Sequence, residues 1–396
     1  FKQKTAYEIS LGLVGSEMCI RDRNYITPFD DYPIHQAIEP ITVPGPTDRN
    51  FYDRYFFNGM DPENEYIFEI GIALYPNRHV MDAHFSISYK GKQYSFHATQ
   101  RLNKNRVPIN IGPMRLTIDE PMNELTFSLK DPDNKLNCNL KFSANSVAHQ
   151  EPRSLMMEGT RTIMNTIRFT QLGKWTGEIT TEAGTLNPQA IYGIRDRSWG
   201  VRPVGEPEGG APGMLNQEPG VYWCWAPVHF DGFCTQFGTF EDRDGNTTQI
   251  SGHKLPLYED MTSAPSEIEV ETIHSLHHSV KWQKGSRWAT GANISGMLKN
   301  KEKFDLELET IGPIFFCKGI GYQHDEWKHG VWRGESETGY EVWDLSAIDP
   351  GDYTFFHTHQ IAKATLGSEE GIGMLENLVV GRHDPSGFED FFDGAK

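Results

Sequence analysis

Apolar and polar residues alternate along this chain in short runs broken by Gly, Pro, Asn and Asp. Phe85-Ser86-Ile87-Ser88-Tyr89 and Leu125-Thr126-Phe127-Ser128-Leu129 show a period of two in its plainest form. That period sends successive side chains to opposite faces of a strand. Similar runs, rich in aromatic and β-branched residues, predict strands over residues 66–75, 82–89, 92–100, 114–119, 124–129, 136–144, 161–171 and 175–181. The second half predicts strands over 221–230, 233–241, 247–253, 268–282, 289–298, 304–310, 330–345, 353–364 and 371–380. Asp244-Gly245, between two of these runs, is a hairpin signal. The single helix expected is short, at residues 387–392. Residues 24–50 read as an extended lead-in. Residues 193–220 read as a polar, Gly-rich break, with 205–220 (GEPEGGAPGMLNQEPG) as a lid or linker. The domain junction is therefore expected there, between an N-terminal domain at 24–204 and a C-terminal one at 205–396. Many short strands with regular turns predict an all-β fold of barrels or sandwiches. A closed barrel has an interior that can hold one small apolar ligand.

The length of 396 residues agrees with two domains. Lys and Arg total 37 against 54 Asp and Glu, a net charge of −17. Such a chain repels nucleic acid and anionic membrane surfaces, so no nucleic-acid partner is expected. No stretch is apolar for the roughly 20 residues that an integral membrane helix needs. Cys19, Cys138, Cys224, Cys234 and Cys317 are too scattered for a disulfide framework or a CxxC site. They suit reduced, buried thiols and a cytoplasmic location. Residues 1–23 resemble a translated sequencing adapter. Glu17–Asp22 (EMCIRD) is what GAG-ATG-TGT-ATA-AGA-GAC encodes, the end sequence of a library-preparation transposase, so the segment is set apart from the fold.

Four clusters could carry chemistry. In GIRDRSWGVRP (193–203), Arg195, Asp196, Arg197 and Arg202 surround Trp199. This is either a surface ion-pair cluster on a turn or a carboxylate poised at a pocket mouth. In YWCWAPVHFDGF (222–233), Trp223 and Trp225 share a strand face, with Tyr222 beside them. They form a packed core or an aromatic wall, with His229 or Asp231 at its edge, and π faces stabilise a developing cation. GYQHDEWKHGVWRGE (321–335) holds His324, Asp325, Glu326, Trp327 and His329. Its spacing is not HExxH, so a loop with an acid and a His for proton transfer is expected rather than zinc. His357-Thr358-His359 places two imidazoles on one face, but no carboxylate partner is evident, so hydrogen-bonded histidines are expected and no metal site, with a metal-dependent enzyme using His357 and His359 as the further alternative. There is no GxGxxG after a strand, no Walker loop and no GxSxG elbow, and no cofactor is expected. The candidates are thus Asp196, His229 and Asp325 for catalysis, and Trp199, Arg202, Tyr222, Trp223, Trp225, His324 and Trp327 for ligand binding.

Several segments carry a resemblance: DDYPIHQ (30–36), DRNFYDRYFFN (48–58), LYPNR (74–78), YGIRDRSWGVRPVGEPEGGAPG (192–213), WCWAPVHFDGFCTQFG (223–238), the 321–335 cluster and LENLVVGRHDPSGFEDFFDGA (375–395). In these the chain resembles the hydroxyneurosporene synthase-like proteins, relatives of carotenoid 1,2-hydratase, from about residue 30 to 395. The resemblance implies two tandem lipocalin-like β-barrels. It also implies an acid that protonates an isolated alkene before water adds to the tertiary cation. Asp196 lies in the best-matched motif and is the acid implied, with Trp199 and Tyr222 lining the pocket. The expected function is a cofactor-free hydratase or isomerase of an apolar isoprenoid, whether terpenoid, steroid-like or carotenoid. The alternative is a non-catalytic lipocalin-like binding protein for an apolar small molecule.

Overall fold

The structure is a computed structural model that describes residues 35–204, 220–258 and 270–396. The expected linker at 205–220 therefore lies almost wholly outside the described residues. Residues 35–47 and 103–107 belong to a short unit, within which Thr42 donates to the Lys104 carbonyl at 3.2 Å. The main unit is built almost entirely of antiparallel strands.

One sheet takes β1 (Phe51–Asp61), β2 (Tyr66–Tyr75), β3 (Val80–Tyr89), β4 (Lys92–Arg101), β5 (Ile109–Ile111), β6 (Met114–Glu120) and β7 (Glu124–Lys130). It continues with β8 (Asn137–Ala144), β9 (His149–Gln150), β10 (Ser154–Glu158), β11 (Arg161–Thr181), β12 (Gly184–Leu186) and β13 (Gln189–Val201). The other takes β14 (Gly220–Trp225), β15 (Val228–Phe230), β16 (Phe233–Glu241), β17 (Thr247–Pro256), β18 (Glu271–Thr272), β19 (His274–Trp282), β20 (Ala289–Met297) and β21 (Lys303–Phe316). After β21 the chain crosses back, and β22 (Ser336–Asp344) pairs with β4 at the end of the first sheet. It then returns to complete the second sheet with β23 (Thr358–Leu366) and β24 (Glu369–Gly381). The main path of the first sheet runs β22-β4-β3-β2-β1-β13-β11-β8-β7-β6-β5, and that of the second β18-β17-β16-β14-β24-β23-β21-β20-β19. Each sheet curls on itself as a lipocalin-like barrel, and the fold class is all-β.

Alternation decides what each barrel contains. Phe57, Phe68, Phe85, Phe127, Phe142 and Trp175 point into the first. Trp175 packs edge-on against Phe57, Phe68 and Phe142, with centroids 5.7, 5.5 and 5.2 Å away, and donates from Nε1 to the Asn58 carbonyl at 2.7 Å. Rings thus occupy the interior where a ligand was expected. The opposite faces of the same strands are buried too. Phe56, Met60, Ile67 and Ile194 of the first sheet join Trp223, Trp225, Phe315 and Met374 of the second in one apolar layer between the sheets. All ten residues of β2 are buried for this reason.

Several expectations shift. Residues 193–201 are strand rather than break, because β13 is paired on one side by β1 and on the other by β11, and that pairing overrides local composition. β1 itself was not expected. The runs 161–171 and 175–181 are one strand of 21 residues. The run 221–230 is split at Ala226-Pro227, where proline offers no N–H to the ladder. Residues 387–392 are not helical. His383 and Phe388 exchange backbone hydrogen bonds at 3.0 and 3.2 Å, and Asp390 accepts from the N–H groups of Phe392 and Asp393, which turns the backbone instead. No helix among the described residues is long and apolar enough to cross a membrane.

β22 can dock only where a glycine lets Trp327 approach. A Cβ on Gly339 would stand 2.3 Å from the Trp327 ring. Gly339→Ala is expected to cost about 1–3 kcal/mol by overpacking, read as a lower urea midpoint.

Candidate functional site

A cavity of about 410 Å³ opens in the layer between the sheets. Ligand pockets of drug size fall in the range of about 300–1,000 Å³. Strands of both sheets supply alternate residues to its wall: Tyr52, Arg54 and Phe56 from β1, Thr166 and Arg168 from β11, and Asp196 and Ser198 from β13. Val221, Trp223 and Trp225 come from β14, His359 from β23, and Glu376 and Leu378 from β24. Phe240 of β16, Arg202, Pro203, His357, Tyr322 and the hairpin residues Met156, Ile163 and Met164 complete it. Register fixes the neighbours. Asp196 lies between Phe56 and Thr170 in the first sheet, and Glu376 lies between Trp225 and His359 in the second.

The polar groups form two clusters. In the first, Arg168 Nε lies 3.5 Å from Asp196 and 3.8 Å from Glu151, with its guanidinium 4.7 Å from the Trp223 ring centre. Burial raises the Asp196 pKa and outweighs the opposing pull of Arg168 and Arg54. Asp196 nevertheless keeps 13% exposure, so the carboxyl is both desolvated and reachable. In the second, His357 Nε2 donates to Glu376 Oε1 at 2.7 Å, and His359 Nε2 lies 3.1 Å from the same oxygen. His359 Nδ1 donates to Glu69. Burial disfavours a charge on His359, but Cys317 and the carboxylates of Glu69 and Glu376 together hold its pKa well above the ordinary value. Burial likewise opposes ionisation of Glu376, and the two imidazoles outweigh it and hold its pKa well below the ordinary value. The His357 pKa is lowered, first by burial, so its ring is neutral. With Nε2–H given to Glu376, His357 Nδ1 carries a bare lone pair, and that atom has no hydrogen-bond partner among the described residues.

The carboxylate partner that His357 and His359 lacked in the sequence is thus Glu376, with Glu69 behind it. Cys317 completes a set of possible metal donors with these histidines, all within 4.8 Å of one another. Its thiol is pushed up to about 12, chiefly by burial, so Cys317 stays a protonated thiol and a poor metal ligand, while His357 Nδ1 keeps its open lone pair.

Residues 26–389 match a family described as a family of unknown function, DUF8625. The chain belongs to that family. No curated protein matches it in sequence. Among solved structures, a putative AttH from Nitrosomonas europaea is 9% identical with a TM-score of 0.51, over 87% of this chain and 97% of that one. That likeness concerns the fold alone. Kievitone hydratase from Nectria haematococca is 10% identical at a TM-score of 0.47, over 83% and 88% of the two chains.

Within this member of the family, four of the expected site residues meet at the cavity: Asp196, Arg202, Trp223 and Trp225. Alternation turns their neighbours away. Trp199 lies on the opposite face of β13 from Asp196, 38% exposed. Tyr222 points into the second barrel, stacked on His383 at 4.3 Å and bonded through its hydroxyl to His278 at 3.0 Å. His229 donates from Nε2 to the Gly193 carbonyl at 3.0 Å, and burial lowers its pKa to about 3. Asp325 is exposed beside Lys318. His324 and Trp327 belong to another cluster, on the outer face of β3 and β4. There Glu341 accepts from His324 at 2.5 Å and lies 3.0 Å from His97, whose ring stacks on Trp327. His324 Nδ1 accepts two backbone N–H groups at 3.0 Å, so its proton sits on Nε2 and is not replaced by a metal without losing those bonds.

Arg54, Arg168, Glu69, Tyr322 and Glu376 were not singled out from sequence. Glu69 and Glu376 did leave a signal, each being a lone acid inside a long apolar run, YIFEIGIALY and GIGMLENLVV.

His229 stays neutral in the fold, whereas an unfolded histidine takes up a proton near pH 6.5. The unfolded state then binds the extra proton, so stability falls as pH drops from about 6.5 to about 3. His229→Gln, which can keep the bond to Gly193, should flatten this acid limb by up to about 1.4 kcal/mol per pH unit, measured by urea unfolding across a pH series.

Proposed function

We propose that the protein is an acid–base enzyme that hydrates or isomerises a carbon–carbon double bond in a ligand with a largely apolar body. The observation that carries this is the presence of a desolvated acid, Asp196, and a carboxylate-oriented base, the His357–Glu376 pair, on one aromatic-walled cavity. A desolvated carboxyl keeps its proton at higher pH, which is what a general acid for alkene protonation requires. Asp196 gives its proton to one alkene carbon, and the positive charge on the other faces the indoles of Trp223 and Trp225. A water molecule adds to that carbon while His357 Nδ1 takes the proton it sheds. Glu376 fixes the His357 tautomer and stabilises the imidazolium that forms. Return of that proton to Asp196 through solvent restores the starting state. Isomerisation follows the same first step, with His357 removing a neighbouring C–H proton in place of water addition. The isoprenoid class of ligand rests on the resemblance of the quoted motifs to the hydroxyneurosporene synthase-like proteins, relatives of carotenoid 1,2-hydratase.

The protein incubated with a lipid extract in ¹⁸O-labelled water should give a product heavier by one labelled water. In deuterium oxide an isomer should instead exchange one hydrogen for deuterium, with no water added. Asp196→Asn should reduce either product by at least about a hundredfold while the ligand still co-purifies. Ligand recovered chemically unchanged from both wild type and variant would mark the protein as a carrier.

A further inference from the structure

The cavity wall holds two arginines, Arg54 and Arg202, on which buried carboxylates act only at longer range, Asp196 and Glu69 on Arg54 and Asp82 on both. Arg54 is 3% exposed, and its Nη2 has no hydrogen-bond partner among the described residues. Arg202 has Nε and Nη2 covered from solvent and equally without partners. Neither forms an ion pair with a carboxylate among the described residues, and the one acceptor bonded to Arg54 is the Tyr322 hydroxyl. Both guanidinium groups lie over the Tyr322 ring, 4.9 and 5.8 Å from its centre, and Arg202 also covers Tyr52 at 4.7 Å. Two like charges are thus gathered at one end of a buried space. Buried cations elsewhere in the same fold behave differently. Arg287 spends its donors on the carbonyls of Val379, Gly381, Asp390 and Asp393 and on the Asp393 carboxylate. Arg168 faces Asp196 and Glu151. A buried charge without an acceptor is costly, and guanidinium groups match planar anionic oxygens in particular.

We infer that Arg54 and Arg202 form the headgroup subsite of this cavity and that the ligand is an amphipathic acid. Its carboxylate-class head would lie at the two guanidinium groups, with its apolar body against Trp223, Trp225 and Phe240. This rests on the cavity being the ligand site proposed above and names the class of ligand it takes. A neutral hydrocarbon polyene would leave both arginines unpaired. An acid of the same length would supply the missing acceptors, while the pocket's desolvated carboxyl, Asp196, stays available for chemistry further along the chain.

The test compares cis-parinaric acid with its methyl ester, two fluorescent polyenes that differ only in the charge of the head. Wild type should bind the acid at least about tenfold more tightly than the ester, as expected for charge-assisted hydrogen bonds. Arg202→Gln should lose that preference while still binding the ester. Arg54→Gln provides a second variant, with thermal unfolding to confirm that each is folded. Equal affinity of wild type for acid and ester would overturn the headgroup subsite and leave the acid–base proposal standing. A preference for the acid retained in both variants would overturn it as well. Binding of neither probe would remove the cavity as a ligand site, and both proposals with it. A loss of turnover confined to Asp196→Asn, with parinaric acid binding intact, supports the division between head and reacting bond.

Discussion

The imidazole of His359 is held between Glu69 of one sheet and Glu376 of the other, and the site is arranged around that buried charge. An ion in an apolar layer is tolerated only where its partners are in place on both sides. The partners here come from strands far apart in the chain, so the contact ties the facing of the two sheets to the register within each. A slip of one residue in β23 or β24 would turn His359 or Glu376 to the other face and strand the charge. The edges of Phe56 and the face of Phe315 pack around the same ring, at 5.6 and 6.4 Å, and keep the surroundings dry. The same low-dielectric surroundings raise the Asp196 pKa. The electrostatic demand and the chemical opportunity therefore have one cause.

The strands were legible because alternation and turn residues are local properties. The runs at 66–75 and 233–241 coincide with β2 and β16 to the residue. Where the expectation missed, a non-local partner decided the outcome. β13 looks polar and Gly-rich in sequence, yet it is strand because β1 and β11 close on both of its edges. For the site, period two correctly paired Trp223 with Trp225, and the same rule separates Trp199 from Asp196 and Tyr222 from Trp223. Residue motifs were therefore good guides to the neighbourhood and poor guides to the face. The location of the cavity between the barrels was not legible, since it depends on which outer faces meet. Glu69 and Glu376 became intelligible only once β2 was seen to have no wet face at all.

The polar face of β3 and β4 shows a second way of burying strands on both sides. Their inward residues fill the barrel, and their outward ones, including Ser86, Gln93, Ser95, His84 and His97, lie covered by the chain that follows β21. Gln93 both donates to the Phe316 carbonyl and accepts from the Phe316 N–H, at 2.8 and 2.9 Å, as a backbone strand would. Side chains here stand in for a missing ladder. The histidines nearby are held neutral by burial, so they join the bonding pattern without adding charge.

The return of β22 to the first sheet has a consequence for the order in which the chain can assemble. Arg101 and Glu335 meet at that sheet edge although they are 234 residues apart in the chain. During synthesis the first barrel can curl early, but the outer edge of β4 must wait, unpaired, until most of the second half has left the ribosome. An open strand edge in a half-made chain is a template for pairing with a neighbour on the same polysome. The position of β22 thus leaves the edge of β4 exposed to such pairing for as long as the second half takes to emerge.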